Sequence, residues 1–147
     1  MPALENRNMK KIIIGIVILL AAGFFAFKFF TASEKADLIR VEIPRPNAII
    51  SSPLVVKGRA RGFWFFEASF PIRLYDANGV NIPLNPPYIM ATTDWMTEEF
   101  VPFLAELEFQ NPATETGVLV LEKDNPSGLP EQADELRIPV RFDLTKK

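Results

Sequence analysis

Along most of this chain apolar and polar residues alternate one for one, and the alternation restarts after each cluster of Pro, Gly, Asn or Asp. Leu54, Val56, Gly58 and Ala60 fall on one side of such a run, with Lys57, Arg59 and Arg61 on the other. A period of two is what a half-buried β-strand presents, because successive side chains point to opposite faces. The same period places Phe70, Ile72 and Leu74 against Arg73 and Tyr75, and Val101, Phe103, Ala105, Leu107 and Phe109 against Glu106 and Glu108. It recurs in Leu136, Ile138, Val140 and Phe142 against Arg137 and Arg141. These four runs are predicted strands. Shorter runs at Leu38–Ile43, Val80–Leu84 and Gly117–Lys123 add three more.

About seven short strands, separated by turn residues and with no helix of ordinary length beyond residue 37, predict an all-β immunoglobulin-like sandwich over residues 38–147. Asp76-Ala77-Asn78-Gly79 supplies the Asn-Gly pair that tolerates positive φ, so a hairpin turn is expected there. Pro139 lies inside the last run and has no N–H to give a ladder, which predicts a sheet edge or a bulge for that strand.

The first 37 residues follow a different pattern. Ile12 to Phe27 carry no charge, and the apolar run continues past Lys28 to Phe29 and Phe30. About twenty residues at 1.5 Å rise each cross a hydrocarbon core of roughly 30 Å, so residues 12–30 are expected to span a membrane, with Lys28 snorkelling. Arg7, Lys10 and Lys11 precede the run, whereas Glu34, Lys35 and Asp37 follow it. The positive-inside bias then puts residues 1–11 in the cytoplasm and the rest outside, with residues 31–37 as a short linker. A cleaved signal peptide ending near Thr31-Ala32-Ser33 is the competing reading. A lipid-modified cysteine is excluded.

Composition narrows the chemistry. The 147 residues contain no Cys and no His, which removes disulfides, thiol nucleophiles, Cys/His zinc sites and histidine acid–base schemes. Residues 31–147 hold 12 Lys and Arg against 17 Asp and Glu, a net charge of −5. No basic stripe interleaves with aromatics, so nucleic acid is not an expected partner. No cofactor is implied, and the reading is of a binding domain rather than an enzyme.

Phe63-Trp64-Phe65-Phe66 stands out, since four consecutive aromatics on a strand cannot all enter one core. Either the segment kinks after Gly62 and buries both pairs, one of them under the loop carrying Trp95 and Met96, or the run together with Trp95 forms an exposed aromatic patch for a protein or glycan. Asp94, Glu98 and Glu99 beside Thr93 and Thr97 suit the capping of one short helical turn, with acid–base chemistry or a metal as the alternative for the carboxylate cluster. Glu67 is expected to be ion-paired with Arg59 or Arg61. The loop from Asp124 to Glu135 offers hard oxygen donors in Asp124, Glu131 and Asp134, a weak calcium candidate without EF-hand spacing, and a solvated, self-bonded turn is the alternative.

The order of blocks also carries a family likeness. Ile50-Ser51-Ser52-Pro53-Leu54 with Gly58, Phe63 to Pro71, Asp94-Trp95-Met96-Thr97 before Phe100-Val101-Pro102-Phe103, and Lys123 to Glu131 together resemble the Gmad2 family, an immunoglobulin-like domain named from bacterial spore-germination proteins. The likeness covers residues 41–143. It implies a stand-alone, membrane-anchored copy of an extracytoplasmic β-sandwich in a bacterial cell envelope, without known enzymatic activity, and it does not imply sporulation. It brings no catalytic or binding residues to carry over. A protein partner in the envelope is the expected ligand, with wall or surface glycan gripped by Trp64 and Trp95 as the alternative.

Overall fold

The structure is a computed structural model that describes residues 35–84 and 88–145. The expected membrane span at residues 12–30, its cytoplasmic flank and most of the linker lie outside the described residues. Among the described residues no helix is long and apolar enough to cross a membrane.

The described residues form eight strands: β1 (Ile39–Ile43), β2 (Ile49–Ile50), β3 (Leu54–Arg61), β4 (Ser69–Asp76), β5 (Tyr88–Ala91), β6 (Phe100–Leu107), β7 (Thr116–Glu122) and β8 (Glu135–Phe142). They pair in the order β1-β3-β6-β5-β4-β7-β8-β2. The pairing is antiparallel throughout except between β2 and β8. This order curls into a sandwich because β4 belongs to both layers. Its Ser69–Pro71 half pairs with β5, and its Ile72–Asp76 half pairs with β7.

The alternation read from the sequence decides what lies between the layers. Val56, Ala60, Phe70, Ile72, Leu74, Val101, Phe103, Leu119, Leu121 and Val140 are all buried. Each of these Val, Leu, Ile and Phe side chains contributes roughly 1.5–3 kcal/mol of hydrophobic stabilisation. Phe70 is the hub, meeting Phe65, Phe103 and Trp64 edge-on at centroid distances of 4.9, 5.3 and 6.4 Å, the geometry that ring quadrupoles favour.

The four main predicted strands form, and so do the runs at Leu38–Ile43 and Gly117–Lys123, within a residue or two of the expected ends. Three expectations are corrected. Val80–Leu84 makes only isolated bridges, Asn81 with Tyr75 and Pro83 with Phe109, instead of a continuous strand. β6 ends at Leu107, two residues early, where the Phe109 N–H turns to the Ser52 hydroxyl oxygen at 3.0 Å. Among the described residues there are eight strands, against about seven expected, because β2 and β5 are too short for a period of two to show.

The expected turn forms as read: Gly79 sits at φ 79°, its N–H donates to the Asp76 carbonyl, and the Asp76 N–H donates to the Val80 carbonyl, both at 3.0 Å. Asp76 itself is buried, and its Oδ1 accepts the N–H groups of Asn78 and Val80 at 2.9 Å each. Pro139 sits where the missing donor costs nothing. Its carbonyl faces away from β7 and accepts the Asn47 N–H at 2.7 Å, and the same margin of β8 is closed two residues later by β2. β8 is thus an edge along its first half only.

Candidate functional site

The site begins where β3 ends. Gly62 donates its N–H to the Glu99 carbonyl at 3.1 Å. A Cβ at position 62 would run into the backbone oxygens of Thr97 and Trp95, so only glycine lets the 92–99 loop lie this close. Residues Gly62–Trp64 then form a 3₁₀ turn, closed by the Phe65 N–H on the Gly62 carbonyl at 3.1 Å. Three residues per turn break the strand period. The two neighbours Trp64 and Phe65 therefore both turn inward, at 0% and 4% exposure, while Phe63 and Phe66 stay outside at 51% and 43%.

The chain kinks after Gly62, as one sequence reading expects, but neither reading places all four rings as they lie. The two central rings are core, so Trp64 and Phe65 present no exposed ring face, although Phe65 lines the groove that runs beside this turn, and the two outer rings are not covered by the Trp95 loop. Trp95 is half-buried against the core and Met96 is exposed. The indole N–H of Trp64 has no hydrogen-bond partner among the described residues.

Beyond Phe66 the chain reverses in a two-residue hairpin. Phe66 and Ser69 exchange N–H to carbonyl bonds at 2.9 and 3.0 Å, with Glu67 at φ 48° and Ala68 at φ 63°. Two positive φ values are what such a tight turn demands, and Asn-Gly is the pair that accepts them easily. Glu-Ala holds them at a cost of roughly 1–3 kcal/mol per residue. Glu67 is exposed on this turn, and the ion pair expected of it is not made. Arg59 pairs with Glu42, and Arg61 with Glu99.

Opposite lies the start of the β7–β8 connection. The Asp124 N–H donates to the Trp64 carbonyl at 3.0 Å, which fastens the loop to the aromatic run. Inside the loop Asn125 Nδ2 donates to the Leu129 carbonyl at 2.8 Å, the Ser127 hydroxyl donates to Asn125 Oδ1 at 2.6 Å, and the Leu129 N–H donates to Ser127 Oγ at 3.2 Å. The self-bonded turn is thus the outcome. The calcium candidate is not assembled: Asp134 is engaged by Lys35, Glu131 is exposed on a 3₁₀ turn, and no three carboxylates converge among the described residues.

Between these two walls runs an open groove of about 370 Å³, lined by Phe63, Phe65, Phe66, Asp124, Leu129 and neighbouring loop residues. Asp124 is half-buried in it. Loss of water raises its carboxyl pKa above the usual value, the Asn125 N–H opposes that, and the negative charge of Glu67 adds to it. The groove is therefore apolar on one side and acidic at its rim.

Two other apolar surfaces are exposed. One is a larger depression of about 450 Å³ at the β1–β2–β3 corner, with Ile43, Ile49 and Val55. There Glu42 is already satisfied by Arg59 and Lys57, which hold its carboxyl below the usual range. The other is the outer face of β5 and β6, where Tyr88, Met90 and Leu104 sit together by register. The Asp94 cluster makes no site. Asp94 Oδ1 accepts the Met96 N–H at 3.0 Å and Thr97 Oγ1 accepts the Glu99 N–H at 3.1 Å, capping-type bonds without the helical turn expected there.

Neither β2 nor β5 announces itself in the sequence, and neither does Leu129 as a groove residue. Its one available signal was an exposed leucine among Pro, Ser and Gly.

No curated protein and no solved structure matches the chain. The family model described as the immunoglobulin-like domain of bacterial spore germination matches residues 38–128. That span runs from β1 into the groove loop, and it takes in the β3–β4 aromatic turn on the way. With more than half of its length matched, and with an all-β fold consistent with that description, the chain belongs to the Gmad2 family of immunoglobulin-like domains.

Proposed function

We propose that this chain is a membrane-tethered module that holds its immunoglobulin-like domain outside the cytoplasmic membrane of a bacterium and binds a protein of the cell envelope. The observation that carries the binding role is the groove beside the 3₁₀ turn. Two phenyl rings about half exposed, 51% and 43%, flank a half-buried carboxylate on a wall braced by backbone hydrogen bonds. Rigid aromatic rings give contact area at low entropic cost, and grooves of this kind are typical protein contact sites. The tether rests on the uncharged run within residues 12–30 and its basic N-terminal flank. Its role is adhesion or assembly, not catalysis. Glycan stacking has less to rest on, since Trp64, one of the two indoles it needs, is in the core.

Two measurements test this reading. A C-terminal alkaline phosphatase fusion should be active and a cytoplasmic reporter fusion inactive; the reverse pattern overturns the topology. A photo-crosslinking residue at position 63 or 66 of the full chain in cells should give one discrete protein adduct that is absent when the probe stands at position 78. A glycan-only adduct, or none, overturns the protein-binding role.

A further inference from the structure

Building on the protein-binding role just proposed, we infer that the groove recognises a cationic side chain, a Lys or Arg carried on an extended apolar segment of the partner. Charge complementarity supports this. Asp124 lines the groove, and Glu67 is exposed on the turn that follows the groove residue Phe66; neither is ion-paired to a cation among the described residues, whose other surface carboxylates are paired at several places. The one cation in the groove wall, Lys123, is turned to the Gln132 carbonyl at 3.2 Å. A guanidinium or ammonium group from outside would meet carboxylates that have no counter-ion of their own among the described residues.

The rings give a second reason. Elsewhere in this domain a phenyl ring is used to hold guanidinium groups: Arg40 and Arg61 sit over Phe100 at 4.6 and 4.3 Å from its centroid. Phe63 and Phe66 are more exposed than Phe100, and no cation of the described residues caps either of them. A ring face next to a carboxylate attracts a cation through both its quadrupole and the full charge. Leu129, 48% exposed on the opposite wall, gives the apolar neighbours of that cation somewhere to pack. A purely apolar partner would leave Asp124 buried against it without a counter-charge, which is costly.

The test is a titration of the isotopically labelled full chain, followed by NMR, with the peptide acetyl-Leu-Arg-Leu-Arg-Leu-amide. Its Glu-for-Arg counterpart and a chitohexaose serve as comparisons. The Arg peptide should shift the amides of residues 63–69 and 123–132, and the other two should not. Asp124→Asn combined with Glu67→Gln should weaken the Arg peptide about tenfold, the scale of one charge-assisted contact, while leaving the spectrum of the free chain folded. Phe63→Ala with Phe66→Ala should weaken it independently of salt. Equal binding of the Glu peptide, shifts confined to Tyr88, Met90 and Leu104, or an unchanged affinity in the carboxylate variant overturns the inference. Because the crosslinking experiment above detects any protein at this face, a protein adduct together with a negative titration refutes the cationic specificity alone.

Discussion

The backbone N–H of Asp124 donates to the carbonyl of Trp64 at 3.0 Å. This one bond joins the most deeply buried indole of the core to the carboxylate at the groove rim, so the shape of the groove depends on how Trp64 packs. Trp64→Ala should cost about 3–5 kcal/mol, as large core truncations do. Trp64→Phe should cost much less, because it also removes an indole N–H that has no partner. Urea denaturation of the two variants measures the difference, and equal losses would mean that Trp64 packing is not what holds this region.

Asp124 makes stability depend on pH in a definite direction. Its folded pKa lies above the usual 3.8, because of burial and then, against the Asn125 bond, Glu67. The native state therefore binds the proton more tightly than the unfolded chain, and this contribution to stability is full below pH 3.8 and is lost as pH rises through the folded value. Asp124→Asn should raise the melting temperature at neutral pH and leave it nearly unchanged at acid pH. A variant less stable than the parent at neutral pH would sink this account.

The Glu67-Ala68 turn offers a stabilising change. Replacing both residues, Glu67→Asn with Ala68→Gly, puts the preferred pair at the two positive φ positions and should add about 1–3 kcal/mol. Thermal unfolding decides it. No gain would show that the turn relaxes at little cost in solution.

Asp76 tests the buried turn acceptor. Asp76→Ala orphans the N–H groups of Asn78 and Val80 and should cost about 1–3 kcal/mol, whereas Asp76→Asn keeps an acceptor oxygen and should cost clearly less. Matched denaturation curves for the two variants would rule out the acceptor role.

Iodide quenching separates the two tryptophans. Trp64 is inaccessible and Trp95 is half-buried at the surface, so any quenchable emission should disappear in Trp95→Phe and persist in Trp64→Phe. Quenching that survives Trp95→Phe would place Trp64 at the surface.

The sequence alone determined the strands whose two faces differ in polarity. Leu54–Ala60, Phe70–Leu74, Val101–Leu107 and Leu136–Phe142 each have one dry and one wet side, and a one-residue slip would exchange them. It also determined the Asp76–Gly79 turn, since few residues tolerate positive φ, and the order of blocks that marks the family. What it left open depended on contacts between distant residues. β2 exists because β8 offers it an edge, and β5 because it bridges β4 and β6, not because two or four residues prefer to be strand. Which rings of Phe63–Phe66 enter the core was decided by the close approach of the Thr97 backbone to Gly62 and by the 3₁₀ turn that follows, neither of which has a local signature. The groove is tertiary in the same sense. Its aromatic wall and its carboxylate are nearly sixty residues apart in the chain, and only the pairing of β4 with β7 brings them side by side.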